Sequence, residues 1–300
     1  MELRPLEGWE EYRACEELQR EVWGEGFGEI APAGLVKVTR RVGGVASGAF
    51  DDDGRLVGFV YGVTGLGDDG RPLHWSHMLG VRPGHRDRGL GLRLKEHQRE
   101  MLLERGVGEA RWTFDPLVAR NAHFNLNRLG VRVLDYESDM YGTSESDLHR
   151  GLGTDRFVVA WDLEDYRPED GGPGRPRPVR GGDPTASREV DAPGREAPAG
   201  AGAPEASDAD AIGDAPPVVR VEIPADIFAV RERDPEAGAG WRQRTRRAFL
   251  ARLDAGYRVS GFVPGPDRGF YVLLHPGVDA HPDPTGGPGA RPDAGGRSDG

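Results

Sequence analysis

Two segments of this chain contain no aromatic residue, and they exclude one continuous fold over all 300 residues. The sequence has 6 Trp, 7 Tyr and 10 Phe, yet residues 167–216 and 276–300 hold none of them and hold 14 of the 24 prolines. Segments with so little apolar surface cannot offset the conformational entropy that folding removes. We therefore predict folded blocks at 1–166 and 217–275, a disordered Pro/Gly/Ala-rich linker at 167–216 and a disordered tail at 276–300.

Charge and cysteine content exclude several classes of protein. The net charge is −11. Because a nucleic-acid-binding surface needs concentrated positive charge, this balance argues against a nucleic-acid-binding protein. The single cysteine, Cys15, excludes an intrachain disulfide and a multi-cysteine zinc site, and its helical context indicates a core residue. No stretch approaches a membrane span, and the N-terminus lacks the apolar run of a signal peptide. We expect a soluble cytoplasmic protein with no metal, nucleic-acid or membrane partner.

Hydrophobic periodicity and turn residues predict a mixed α/β protein. In the first block the predicted order is β-α-α-β-β-β-α-β-α-β-β, with strands at 2–5, 45–50, 56–63, 73–81, 109–116, 131–141 and 155–163 and helices at 7–23, 32–41, 89–105 and 118–129. The second block predicts a β-α-β-β unit. Because that unit is too small to be comfortably stable alone, we expect it to pack on the first block as an extension.

One short motif carries chemistry: Arg86-x-x-Gly89-x-Gly91, at a predicted strand-to-helix junction. Glycines let the main chain approach a ligand closely, and the first N–H groups of a helix have no internal partner and face a favourable dipole. The pattern predicts a main-chain cradle for a pyrophosphate. A second match, at Arg41, Gly44 and Ala46, runs into a strand and is set aside. The chain has neither a dinucleotide-binding fingerprint nor a P-loop.

The stretch from His77 to Arg93, with Val81-x-Pro83-x-x-Arg86-x-x-Gly89-x-Gly91 followed by a helix, resembles the GNAT superfamily of acyl-CoA-dependent N-acyltransferases. The resemblance implies an α/β mixed sheet of the GNAT-like fold, carrying a small C-terminal extension, with acetyl-CoA as co-substrate. It implies that pantetheine binds to the main chain of Met78, Leu79 and Val81. It further implies that the pyrophosphate binds the loop made of Arg86, Asp87, Arg88, Gly89, Leu90, Gly91 and Leu92. Residues 112–130 and 241–262 also look similar to a less studied branch of predicted acetyltransferases.

The sequence departs from the family at the expected general acid. Many members have a tyrosine four residues before the glycine of the helix after the fifth strand, and here that position is Leu126. We consider His77 as a base, Asp115 at the end of the next strand, and Tyr141 as a substitute acid. Asn121 is a candidate ligand of the cofactor's amide arm. The alternatives are a packed sheet histidine, a helix cap, a core tyrosine and a surface asparagine.

Three functions follow from these residues. The first is an N-acetyltransferase that acts on a small-molecule amine or an amino acid. The second is a non-catalytic CoA-binding module, which the leucine at position 126 favours. The third is an N-succinyltransferase acting on amino acids, which Arg residues facing the acyl end would favour. The sequence identifies neither the acceptor nor the oligomeric state, and a homodimer formed through the extension stays open.

Overall fold

The computed structural model describes residues 1–142, 152–166, 188–189 and 216–276. Its main sheet has seven strands in the order β1-β2-β3-β4-β5-β7-β6, and every neighbouring pair is antiparallel except β4 and β5. The strands are β1 (Glu2–Pro5), β2 (Val45–Phe50), β3 (Leu56–Leu66), β4 (Pro72–Val81), β5 (Glu109–Phe114), β6 (Arg132–Glu137) and β7 (Arg156–Asp162). The parallel pair is where the chain crosses over through a helix, as parallel neighbours require.

Helices cover both faces of this sheet, and each face has its own core. On one face lie α1 (Gly8–Trp23) and α2 (Ala33–Arg41), which bury Cys15 and Val36 against β3. On the other lies α3 (Leu90–Leu103), which packs on alternate residues of the same strands. Burial raises the pKa of the Cys15 thiol to about 12, as expected of a core residue rather than a nucleophile.

The helix after β5 is not regular. We predicted one helix over 118–129, whereas the structure has α4 (Ala119–Ala122) continuing as a π-helical segment, His123–Leu129, that ends at left-handed Gly130. Segments of π-helix are rare and occur frequently at functional sites. The order of elements over the first block is otherwise as predicted, and the mixed α/β fold is confirmed.

The C-terminal unit forms a second sheet, in the order β10-β11-β9-β8. Its elements are β8 (Arg188–Glu189), β9 (Val218–Pro224), α5 (Ile227–Arg233), α6 (Pro235–Asp254), β10 (Arg258–Val263) and β11 (Arg268–Leu274). We predicted a single helix here, and the structure has two. The break falls at Asp234–Pro235, because proline disfavours a helical conformation in the residue before it and Asp234 caps α6.

The predicted linker and tail lie largely outside the described residues. Only 188–189 and 216 of the linker, and 276 of the tail, are described. Arg188–Glu189 pair in parallel with Val219–Arg220 at the edge of the second sheet. Among the helices that the structure describes, none is long and apolar enough to cross a membrane.

Candidate active site

The site begins where two neighbouring strands part. β4 and β5 pair only over Leu73–Trp75 and Glu109–Arg111, although both strands run several residues further. Between the separated ends lies a cavity of about 670 Å³, bordered by the main chain of β4 from Ser76 onward. We call this opening between β4 and β5 the wedge, and the point where pairing stops its apex. A wedge of this kind leaves one edge of β4 without a strand partner.

A β-bulge lies at the apex of the wedge. Tyr61 faces Met78 and Val63 faces Trp75, so two residues of β4, Ser76 and His77, oppose the single Gly62 of β3. An extra residue bends the strand that carries it and changes the direction of its side chains. Only glycine fits opposite this bulge, because a Cβ on Gly62 would lie 2.5 Å from the carbonyl oxygen of Trp75.

The predicted cradle lies at the open end of the wedge. After the short 3₁₀ turn Pro83–His85, Asp87 and Gly89 adopt left-handed conformations with φ of 60° and 73°, and α3 begins at Leu90. The first N–H groups of α3 therefore have no acceptor within their own helix. A Cβ on Gly91 would meet only Leu79, at 3.7 Å, so this glycine keeps the loop surface open rather than relieving a clash.

Most of the residues proposed from the sequence line this one cavity. They are His77, Met78, Leu79, Val81, Arg86, Asp87, Gly89, Leu90, Gly91, Leu92, Asp115, Asn121 and Tyr141. Arg88 is the exception, because its side chain is exposed and does not reach the cavity wall. Trp23, the last residue of α1, also lines the cavity, as do Phe27 and Glu29 of the connection to α2. Among the described residues, no group of three potential ligands is placed to hold a metal ion.

His77 presents its ring to the cavity from the bulge. The ring packs edge-on against Tyr61, with centroids 6.0 Å apart. Partial burial lowers the pKa of His77 below its ordinary 6.5, and the nearby Glu29 carboxylate opposes that shift only in part. The imidazole is consequently neutral at neutral pH, which is the form that accepts a proton.

Tyr141 reaches the cavity from a turn rather than from a strand. We predicted a strand through 141, but β6 ends at Glu137 because Asp139 takes a left-handed conformation and its N–H donates to Asp155. The Tyr141 hydroxyl lies 3.1 Å from the Thr113 hydroxyl of β5. Leu126, at the family's usual acid position, is a buried core residue. The phenol of Tyr141 is thus the ionisable hydroxyl in the described cavity wall.

Asp115 is a buried wall carboxylate with structural partners. Its Oδ1 accepts the N–H of Leu117 at 2.8 Å, in the turn that precedes α4. The cap position of α4 is Val118 and no side chain caps it, so the helix-cap alternative is wrong. Its Oδ2 accepts from the Arg242 guanidinium at 2.6 Å, and both side chains are only 4% exposed. Arg156, another cavity residue, lies 3.8 Å from the same oxygen. The pairing with Arg242 ties the cavity wall to α6 of the C-terminal unit.

Sequence reasoning missed a polar network behind the wedge apex. Lys95 of α3 donates to Ser76 and Gln98, Gln98 pairs with His74, and His74 pairs with Thr64. Burial, followed by the charges of Lys95 and Arg105, lowers the pKa of His74 to about 3, so this histidine is neutral. One signal could have revealed the network: Lys95 is one of two lysines in the chain and falls among the buried positions of α3.

Comparison with known proteins finds a family model that is similar to part of this chain. Residues 12–130 match the family model described as the acetyltransferase (GNAT) family. No curated protein matches the sequence. Similar solved structures include the ribosomal-protein-S18-alanine N-acetyltransferase from Escherichia coli, with 16% identity over 54% of this chain and 93% of that one, at a TM-score of 0.42.

Two further structures show the same level of likeness. The aminoglycoside 6'-N-acetyltransferase from Enterococcus faecium has 17% identity over 54% of this chain and 97% of its own, at a TM-score of 0.40. Chaetomium thermophilum Naa20 has 15% identity over 55% of this chain and 87% of its own, at a TM-score of 0.44. Scores this low add nothing to the assignment. The family model matches residues 12–130, which contain the bulge, the wedge and the cradle, so this part of the chain is similar to the acetyltransferase (GNAT) family.

Proposed function

We propose that this protein is an acyl-CoA-dependent N-acyltransferase that moves an acetyl group from acetyl-CoA directly to the amine of a small molecule or amino acid. One observation carries the proposal: the wedge, the cradle, a neutral histidine and a tyrosine hydroxyl all border one cavity. The family match supports the acyl-CoA donor. The cytoplasm is the compartment we propose for this reaction.

Binding would use main-chain groups. The pyrophosphate would take the free N–H groups at the start of α3, where the helix dipole favours negative charge. The pantetheine arm would lie along the free edge of β4 and hydrogen-bond as a short added strand. At about 3.3 Å per residue, the five steps from Val81 to Ser76 span roughly 16 Å, so the thioester end would arrive near the bulge. The amine would enter from the side of Trp23, Phe27 and Glu29.

The transfer itself needs few side chains. The amine nitrogen attacks the thioester carbonyl, the C–N bond forms, and the C–S bond breaks to release a thiolate. His77, as the neutral base, would take the proton that the amine loses, and Tyr141 would donate one to the thiolate. Holding both reactants in one cavity supplies much of the rate by proximity. Asp115, tied to Arg242, would position the wall rather than exchange protons.

Two measurements test the proposal. Titration calorimetry with CoA and acetyl-CoA should show binding, and free-thiol release with a panel of amines should exceed hydrolysis in their absence. Absence of CoA binding would contradict the proposal. Binding without thiol release for any amine or acyl donor would instead favour the non-catalytic module. Leu126 supports that alternative, because a buried leucine occupies the position of the expected general acid.

A further inference from the structure

Lys95 occupies the apex of the wedge. Its Nζ lies 3.0 Å from the hydroxyl of Ser76, the first residue of β4 beyond the paired region, and 3.6 Å from the ring centre of Trp112 on β5. Lys95, Ser76 and Trp112 all line the cavity. Any chain that enters the wedge from the cradle therefore meets the Lys95 side-chain nitrogen at the far end.

The surroundings of Lys95 give its charge no counterion. The residue is 3% exposed, and no carboxylate of the described chain lies within 4.0 Å of its nitrogen. Its hydrogen-bond acceptors are the neutral Ser76 hydroxyl and the Gln98 amide oxygen, 3.0 and 2.9 Å away. Of the titratable groups nearby, His74 is neutral, and Arg105 at the end of α3 is cationic. Burial without an anion lowers the pKa of Lys95 well below its ordinary value.

The neighbours fix the direction of this group. Gln98 donates its amide N–H to the ring of His74, which turns its oxygen toward Lys95 and Ser76. Two donations from Lys95 are thus assigned, and the rings of Trp112 and Trp161 lie 3.6 and 5.5 Å from its nitrogen. Folding has already removed the Lys95 amine from water. Binding of an anion to it therefore requires no further desolvation of this amine.

We propose that the wedge apex is a carboxylate subsite, through which the protein accepts, besides acetyl-CoA, the CoA thioesters of short dicarboxylic acids. The proposal rests on the acyl-CoA function above, because it takes the acyl chain to point from the cradle to the apex. The far carboxylate of a malonyl or succinyl group pairs with Lys95, and the Ser76 hydroxyl, which now donates to Gln98, turns to donate to the same carboxylate. A neutral chain of the same length leaves both groups as they are now.

Calorimetry with succinyl-CoA and butyryl-CoA tests the subsite, because both carry four-carbon chains and differ in the terminal carboxylate. We expect succinyl-CoA to bind at least tenfold more tightly, and we expect a proton to be taken up on binding, seen as a dependence of the heat on buffer ionisation. Lys95→Met should remove both effects and keep butyryl-CoA affinity. Lys37→Met, at the exposed lysine of α2, should change neither.

The outcomes separate this inference from the proposed function. If no CoA compound binds, the acyltransferase proposal fails and the subsite with it. If CoA and butyryl-CoA bind but succinyl-CoA binds no more tightly than butyryl-CoA, the subsite alone is overturned. The subsite is also overturned if Lys95→Met still binds succinyl-CoA more tightly than butyryl-CoA. If Lys95→Met does not fold, proton uptake by the unmodified protein decides, because its absence with succinyl-CoA contradicts pairing with an amine.

Discussion

At the scale of single residues, the acid role can be tested at one hydroxyl. Tyr141→Phe removes the group that we assign to protonate the thiolate and leaves the ring packed beside Arg156. We expect kcat to fall about 10²-fold with little change in acetyl-CoA affinity, because a general acid acts in the transition state. Thiol release and calorimetry measure the two quantities. Tyr257→Phe, whose hydroxyl bonds to the Pro216 carbonyl, is the control.

The base role makes a prediction about pH. The pKa of His77 is lowered, so the ring stays neutral at pH 7 and becomes protonated only as the pH falls below about 6.5, the ordinary value. Acyl transfer should therefore hold steady near neutrality and decline on the acid side. His77→Gln should lower kcat about 10²-fold and abolish that acid limb. His97→Gln, on α3 and outside the cavity wall, should leave the profile intact.

Individual site residues were only partly predictable. His77, Asp115 and Tyr141 could be nominated because each lies within or at the end of a strand predicted near the motif. Their partners could not, since Arg242 is 127 residues from Asp115 and Thr113 is 28 from Tyr141. The burial of Lys95 in α3 was also hard to predict, because the only local sequence signal for it is the apolar residues around it.

At the scale of elements, the cradle predicts a separation between binding and folding. Gly91→Asp adds a negative side chain where the pyrophosphate would bind, while the nearest atom to the new Cβ is a leucine methyl at 3.7 Å. We expect acetyl-CoA affinity to fall at least a hundredfold and the melting temperature to stay near that of the unmodified protein. Gly84→Asp, with open space around its Cβ and the same added charge, is the control. Equal effects at both positions would contradict a localised cradle.

The order of elements in the first block was predictable, and their irregularities were not. Alternating apolar residues and the Asp51–Gly54 turn suffice to mark β2 and β3. The bulge at Ser76–His77 depends on the register of pairing with β3, and the π-helical segment depends on packing. Both lie at the cavity. The features that shape the site are those that local propensity does not encode.

At the scale of the whole molecule, the two units are joined by buried polar contacts. Arg242→Met should destabilise the protein by about 3–5 kcal/mol, because it leaves Asp115 buried with only the more distant Arg156. Urea unfolding measures this, and Arg242→Met combined with Asp115→Asn should recover part of the loss. Arg71→Met removes an ion pair of the same 2.6 Å length that is exposed, and it should not shift the midpoint.

The C-terminal tail should be dispensable. Composition predicts that residues 276–300 contribute no core, so their deletion should leave acetyl-CoA affinity and the unfolding midpoint unchanged. Calorimetry and urea unfolding of the shortened chain check this. A lower midpoint would mean that the tail packs on the folded units.

The pair between Asp115 and Arg242 also has a consequence in time. At about 5–20 residues per second, a ribosome adds Arg242 roughly 6–25 s after Asp115, because 127 positions separate them. Throughout that interval the nascent chain has the cradle and both wedge strands but not the guanidinium that neutralises the wall. Completion of the cavity is consequently a late event of synthesis, and ligand capture belongs to the finished chain rather than to its emerging first half.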